Sequence, residues 1–287
     1  MNRCLPGLVV LSVAISIALP GLAQTAPSSE ESQSPPAFIN PKERLPLPAL
    51  QSLNRLRFVT TVDFPPFNML NQQGQLSGYN VDLAKALCSQ LGIDAICQIE
   101  AVPWDELEER VLSGAADAII GGWQPSNEKR GQFVFSRSYM RLPGRFVTIK
   151  SKAFTRPAVE ATTGKTVGVI SGTAHEQILK TYFPNALIKP YPDREAMLTG
   201  LMNGQTESVF DDGMSLSFWL NDAKSNECCH FTDGPYLAPQ YLGTGFSIAV
   251  TEQNAAIAAA IDNGLQALQQ KGVLNELYLR YFPTNFY

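Results

Sequence analysis

Few side chains in this sequence could do covalent or metal chemistry, and their spacing narrows the options further. Only two histidines are present, His175 and His230, and neither sits at a ligand-like distance from another donor. A zinc site or a histidine-based catalyst therefore has little to draw on, and the sequence calls for no metal or cofactor. Four cysteines follow the N-terminal leader: Cys88, Cys97, Cys228 and Cys229. An even number in an exported chain points to disulfides, with three connectivities open for four cysteines. The remaining polar chemistry suits binding more than bond-making. Ser171-Gly172-Thr173-Ala174 lies between an apolar run and a helical run. Backbone N–H groups at such a helix start can hold an anion, and Thr173 can equally serve as the helix cap. Asp211-Asp212-Gly213 is an acidic turn that could face a cation. Arg130 offers a planar fork that a carboxylate accepts through two hydrogen bonds.

The elements that position these groups follow from hydrophobic periodicity. Leu56–Val62 reads as a strand, and a hairpin-like turn falls near Asn71–Gly74. Val81, Leu83, Ala84, Leu87, Cys88 and Leu91 have helical spacing, with Gly92 as the stop. Strands are expected at Ala95–Val102 and Asp117–Ile120, separated by a helix over Trp104–Leu112. A second series follows: strand Thr166–Ile170, helix Ala174–Tyr182, helix Glu195–Met202 and strand Ser208–Phe210. Helices at Ala255–Gln270 and Leu274–Tyr281 close the chain. This alternation predicts an α/β fold with parallel sheets. An internal echo suggests two lobes. Leu112-Ser-Gly-Ala-Ala-Asp-Ala-Ile-Ile120 resembles Met202-Asn-Gly-Gln-Thr-Glu-Ser-Val-Phe210, and each delivers a buried strand into a polar loop. Open α/β sheets bind ligands at the carboxyl ends of their strands.

The start of the chain carries a different message. Residues 1–23 have a single charge, Arg3, an apolar run to Leu19 and the small-residue end Gly21-Leu22-Ala23. Such a segment reads as a secretory signal peptide cut after Ala23. Residues 24–50, rich in Pro, Ser and Gln, read as a disordered leader, with the fold starting near Leu53. Beyond the signal peptide, 21 basic and 26 acidic side chains remain of the 287-residue chain. This balance argues against a nucleic-acid partner.

Several pieces in sequence order resemble the periplasmic amino-acid-binding proteins of ABC importers, solute-binding protein family 3. They are Phe64-Pro-Pro-Phe67, Gly78-Tyr-Asn-Val-Asp-Leu83, Trp104-Asp105, Gly114 to Gly122, Glu128-Lys-Arg130 and Gly164 to Thr173, followed by Gly204 to Asp212 and Gly272 to Tyr278. The resemblance implies a two-lobed periplasmic-binding-protein fold of type II with two hinge strands and a ligand cleft between the lobes. The crossings are placed near Pro143–Ile149 and Tyr241–Ala249, so lobe 1 comprises residues 51–142 plus 241–287 and lobe 2 residues 143–240. It also implies a monomer in the periplasm that captures an amino acid or close analogue and passes it to a membrane permease.

The implied site consists of Phe64 and Trp104 as aromatic walls, Gly121, Gly122 and Ser126 as polar contacts, and Arg130 on the ligand carboxylate. Thr173 and Ala174 join that carboxylate, and Asp212 takes the amine, with Asp211 as the alternative register. Trp123 has no family counterpart and is a candidate third wall. Where the family has Thr-x-x-Arg, this chain reads Gln124-Pro-Ser-Asn-Glu-Lys-Arg130, one residue longer. The resemblance further implies a Cys88–Cys97 disulfide and leaves Cys228 and Cys229 open. Two other functions stay in view: a cyclohexadienyl dehydratase-like enzyme, for which Glu100, Asp105, Glu176 and Asp212 are available carboxylates, and a sensing module for a separate receptor.

Overall fold

The computed structural model describes Met1, residues 35–48, Leu50 and residues 53–287; the expected signal peptide lies outside these. In chain order the elements are β1 (Leu56–Thr60), β2 (Asp63–Phe64), β3 (Asn68–Leu70), β4 (Leu76–Ser77), α1 (Tyr79–Leu91), β5 (Cys97–Ala101), α2 (Leu107–Leu112), β6 (Ala118–Ile119), β7 (Phe133–Phe135), β8 (Gly144–Ile149), α3 (Ala158–Ala161), β9 (Thr166–Ile170), α4 (Ala174–Tyr182), β10 (Leu187–Tyr191), α5 (Arg194–Met202), β11 (Ser208–Asp212), α6 (Gly213–Asn221), β12 (Cys229–Tyr236), α7 (Pro239–Leu242), β13 (Ala249–Thr251), α8 (Ala255–Gln270) and α9 (Val273–Tyr281). No helix among the described residues is long and apolar enough to cross a membrane.

Two five-stranded mixed sheets carry the fold. One has the order β5-β1-β6-β13-β7 and the other β10-β9-β11-β8-β12, while β2, β3 and β4 form a small antiparallel sheet. In each large sheet three neighbouring strands run parallel, and another strand joins antiparallel: β13, the last strand in the chain, beside β6, and β8, which precedes its parallel neighbours, beside β11. The chain passes between the sheets twice. The two crossings lie side by side, with Met140 bridged antiparallel to Phe246. The first crossing lies at Met140–Pro143, ahead of the expected stretch, because β8 is already an interior strand of the second sheet.

Apolar spacing explains the core. On α1, Val81, Leu83, Ala84, Leu87 and Cys88 are buried, and Gly92, at φ 70°, ends the helix in the left-handed conformation that glycine adopts without a Cβ clash. Gly264 on α8 lets this helix approach α1 closely. A Cβ there would lie 2.9 Å from Leu87 Cδ2. The expected disulfide joins Cys88 to Cys97, at the end of α1 and the start of β5, and a second joins the neighbours Cys228 and Cys229.

Residues 35–48 depart from the expected disordered leader. This arm lies along α8, whose side-chain amides donate to its backbone carbonyls. Gln269 Nε2 reaches Ile39 O at 2.7 Å, Gln266 Nε2 reaches Asn40 O at 2.8 Å and Glu43 O at 2.7 Å, and Gln270 Nε2 reaches Pro41 O at 3.0 Å. Ile39 is 1% exposed in the core built on α1, α8 and α9, and Arg137 pairs with Glu43. A Pro/Ser-rich composition hides this, because the arm is held by its main chain.

Two measurements check these features. Ile39→Ala is expected to lower unfolding free energy by about 2–3 kcal/mol in denaturant titration; no change would mean that the arm does not dock. Replacing both Cys88 and Cys97 by Ser should cost about 2–3 kcal/mol, the entropy of a short closed loop.

Candidate ligand-binding site

The carboxyl ends of the parallel strands in both sheets abut the crossings. In the first sheet β6 runs into Ile120-Gly121-Gly122-Trp123, and Trp123 O accepts the Ser247 amide of the second crossing at 2.8 Å. In the second, β11 ends at Asp212 opposite Gly144, the first residue after the first crossing, and Gly213 N donates to Pro143 O at 2.7 Å. The edges that α/β sheets use for ligands therefore sit beside the two connections about which one lobe can turn against the other.

On lobe 1, Phe64 stacks on Phe67 with ring centroids 4.8 Å apart. It covers Gly122, whose φ is 83° and where a Cβ would lie 2.8 Å from Phe64 Cε1. A side chain at Gly122 would push this wall aside. Trp104 is 54% exposed, 6.3 Å from the ring of Trp123. Trp123 itself is 3% exposed and packs edge-on against Phe133, so it supports Trp104 more than it forms a surface of its own. Its Nε1 is buried without a partner.

The loop after Trp123 differs from the expectation in its details. Lys129 lies with Nζ 3.9 Å over the Trp123 ring and pairs with Glu108. Arg130, on a short 3-10 turn, is exposed, and its backbone N donates to Ser126 O at 3.1 Å. The Ser126 hydroxyl accepts the Lys129 amide at 3.2 Å, so it caps this turn. Gln124 reaches the second crossing, where its Oε1 accepts the Gly245 amide at 3.4 Å. No sequence pattern signals that contact, since the partners lie 121 residues apart.

On lobe 2, Thr173 caps α4. Its hydroxyl accepts the Glu176 amide at 3.3 Å and donates to Ile170 O at 2.8 Å, while Glu176 Oε2 accepts the Gly172 amide at 2.8 Å. The first-turn amides of Ala174 and His175 remain pointed out of the helix start, as in any α-helix. The two aspartates have distinct roles. Asp211 is 1% exposed and is forked by Arg194, with Nε–Oδ2 at 2.5 Å and Nη2–Oδ1 at 3.3 Å. His175 Nδ1 lies 3.7 Å from its Oδ1. Asp212 instead caps α6, accepting the Ser215 amide at 2.7 Å. Burial raises the Asp212 pKa, Ser215 opposes this, and Asp211 adds to it. Burial lowers that of His175 against the pull of both aspartates. Neither His175 nor Arg194 was legible as part of the site, because helix and strand spacing say nothing about which elements meet at a sheet edge.

Two other candidate carboxylates are engaged by basic side chains. Glu100 pairs with Arg110, and Glu176 pairs with Lys180 at 2.6 Å. Among the described residues no cluster of His, Cys, Asp or Glu could hold a metal ion.

This arrangement, two α/β lobes with strand ends turned to a double crossing, is that of the two-lobed periplasmic-binding fold of type II. The chain belongs to the bacterial extracellular solute-binding proteins, family 3, whose sequence profile matches residues 56–284. The ABC transporter arginine-binding protein 1 of Escherichia coli K12 is 27% identical over 229 residues, 80% of this chain and 91% of its own. The arginine-binding periplasmic protein of Mannheimia haemolytica is 25% identical over 215 residues, 75% and 86% of the respective chains. The fold is shared with the L-cystine solute receptor of Neisseria gonorrhoeae in its unliganded open form, at TM-score 0.68 and 18% identity, covering 81% of this chain and 94% of that one. It is also shared with an ancestral cyclohexadienyl dehydratase, at TM-score 0.64 and 21% identity, covering 83% and 97%.

The capping role of Asp212 can be separated from its charge. Asp212→Ala should cost about 1 kcal/mol in unfolding free energy through loss of the cap, whereas Asp212→Asn, which keeps a cap oxygen, should cost a few tenths. Equilibrium denaturation of the two variants checks this.

Proposed function

We propose that this protein captures an α-amino acid in the periplasm, with L-arginine the first candidate, and delivers it to an ABC permease. The family match over residues 56–284 carries this reading. Curated relatives spanning most of the chain are arginine-binding proteins, and the two sheet edges meet at a double crossing suited to hinge closure. In this reading Asp212 accepts the ligand ammonium, a charge-assisted bond. Asp211 is the weaker candidate because Arg194 already occupies both of its oxygens. The backbone amides of Ala174, Gly121 and Gly122, with the cap Thr173 beside them, receive the carboxylate together with Arg130, whose exposed side chain makes no ion pair among the described residues. Phe64 and Trp104 flank the aliphatic part of the ligand, and Ser126 shapes the Arg130 turn. The protein acts as a monomer that binds without turnover. Of the carboxylates available to a dehydratase, Glu100, Asp105, Glu176 and Asp212, Glu100 pairs with Arg110, Glu176 pairs with Lys180 and Asp212 caps α6.

L-Arginine at a hundred times its Kd should add about 2.7 kcal/mol to the folded state, seen as a rise in Tm of several degrees. A panel of amino acids with no such rise would overturn the reading. In calorimetry, Arg130→Ala and Asp212→Asn should each weaken binding by about 2–5 kcal/mol, and Asp211→Asn by much less. Incubation with arogenate or prephenate should yield no aromatic product.

A further inference from the structure

Two adjacent carboxylates at the end of one strand raise an electrostatic problem that the surrounding side chains resolve. Asp211 and Asp212 point to opposite faces of β11, as neighbours in a strand must. Asp211 faces α5, in line with Val209, which packs with Met197, Leu198 and Leu201 of that helix. Asp212 stays at the edge, on the cap of α6. A like charge this close disfavours ionisation of its neighbour, and both groups are withdrawn from water, which compounds the effect.

The charged groups around the pair are few. From α5, Arg194 grips both oxygens of Asp211 while its own side chain remains 41% exposed at the rim. From α4 comes His175, 14% exposed, with Nδ1 3.7 Å from Asp211. From β8 comes Arg145, whose Nε donates to Asp233 O at 3.1 Å and whose guanidinium covers the Phe231 ring at 4.3 Å. Helix α6 contributes no charge over Gly213–Asn221. Among the described residues, Arg194 is the cation that grips both oxygens of Asp211.

We propose that Arg194 is a positioning residue for ligand capture: by neutralising Asp211 it leaves Asp212 to act as the single anionic partner for the ammonium group of the ligand. Arg194 touches no ligand in this account. It works through the Asp211 carboxylate, and the account rests on the amino-acid reading given above. Without Arg194, the uncompensated charge of Asp211 makes Asp212 hold its proton to higher pH, and a protonated Asp212 no longer attracts an ammonium. Affinity should then fail at a higher pH than in the parent. His175 can also offset Asp211, because removal of Arg194 removes a repulsion that opposes its protonation.

The test is calorimetry of the full exported chain with L-arginine from pH 4 to pH 8, each variant being made with and without His175→Gln. In the His175→Gln background, Arg194→Gln should raise the pH at which half the affinity is lost by about one unit or more. Arg194→Lys, which keeps the charge and loses the fork, should retain the parent profile. Adding Asp211→Asn to Arg194→Gln should restore that profile, since no second carboxylate is then left to neutralise. If Arg194→Gln alone does not fold, the double variant and Arg194→Lys still decide the matter. The role is overturned if Arg194→Gln follows the parent pH profile, if the double variant keeps a raised midpoint, or if His175→Gln alone abolishes binding. A parent protein that binds L-arginine with an unmoved profile in Arg194→Gln refutes this role only. A parent that binds no amino acid refutes the functional reading as well.

Discussion

The arrangement depends on a short main-chain contact between two passages of the chain. Phe246 N donates to Met140 O at 2.7 Å, and Tyr139 N donates to Phe246 O at 2.9 Å. These bonds hold the two crossings as a pair, so that β8 enters the second sheet and β13 enters the first from the same place. Because β8 and β13 run antiparallel to β11 and β6, the carboxyl ends of those parallel strands are brought to the crossing. The placement of Gly121 and Gly122 on one side and Asp212 on the other follows from that geometry. A lobe can turn about the pair without breaking the strand pairing inside either sheet.

Much of the framework was legible because it is local. The burial period of α1 and its glycine stop, the exact span of β9, the cap at Thr173 and the long apolar face of α8 are all written within a few residues. The elements not named from sequence include β7, β10, β12, α3, α6 and α7, and the stretch of β8 was read only as a hinge strand; β7, β8 and β12 join their sheets from far along the chain. A run such as Gly144–Ile149 is recognisable as apolar but does not state which strand it will lie against. The Cys88–Cys97 pairing, implied by family resemblance, is also a matter of one helix-to-strand turn.

The site divides in the same way. Phe64, Gly122 and Asp212 are positioned by strand ends, where the family resemblance placed them as candidates. The surroundings that set their behaviour, Lys129 over Trp123, Gln124 on the second crossing and Arg194 on Asp211, come from tertiary contact. The choice between Asp211 and Asp212 illustrates this. Sequence offers two adjacent carboxylates one register step apart, and the fork of Arg194 on Asp211 and the α6 cap on Asp212 make them chemically distinct. Electrostatic identity at a buried edge is a property of the neighbours as much as of the residue.

The arm along α8 has a consequence of another kind. Asn263, Gln266, Gln269 and Gln270 read carbonyl oxygens, which every amino acid carries, and only Ile39 among residues 39–45 is buried as an apolar anchor. Much of the information that fixes the arm is therefore stored in the helix, with Ile39, Leu45 and Glu43 as the arm's own share. Its outward side chains, such as those of Lys42 and Arg44, are free of structural duty. Recoding them for a dye or an affinity handle would alter the surface of the molecule while leaving its path, and the lobe beneath it, as they are.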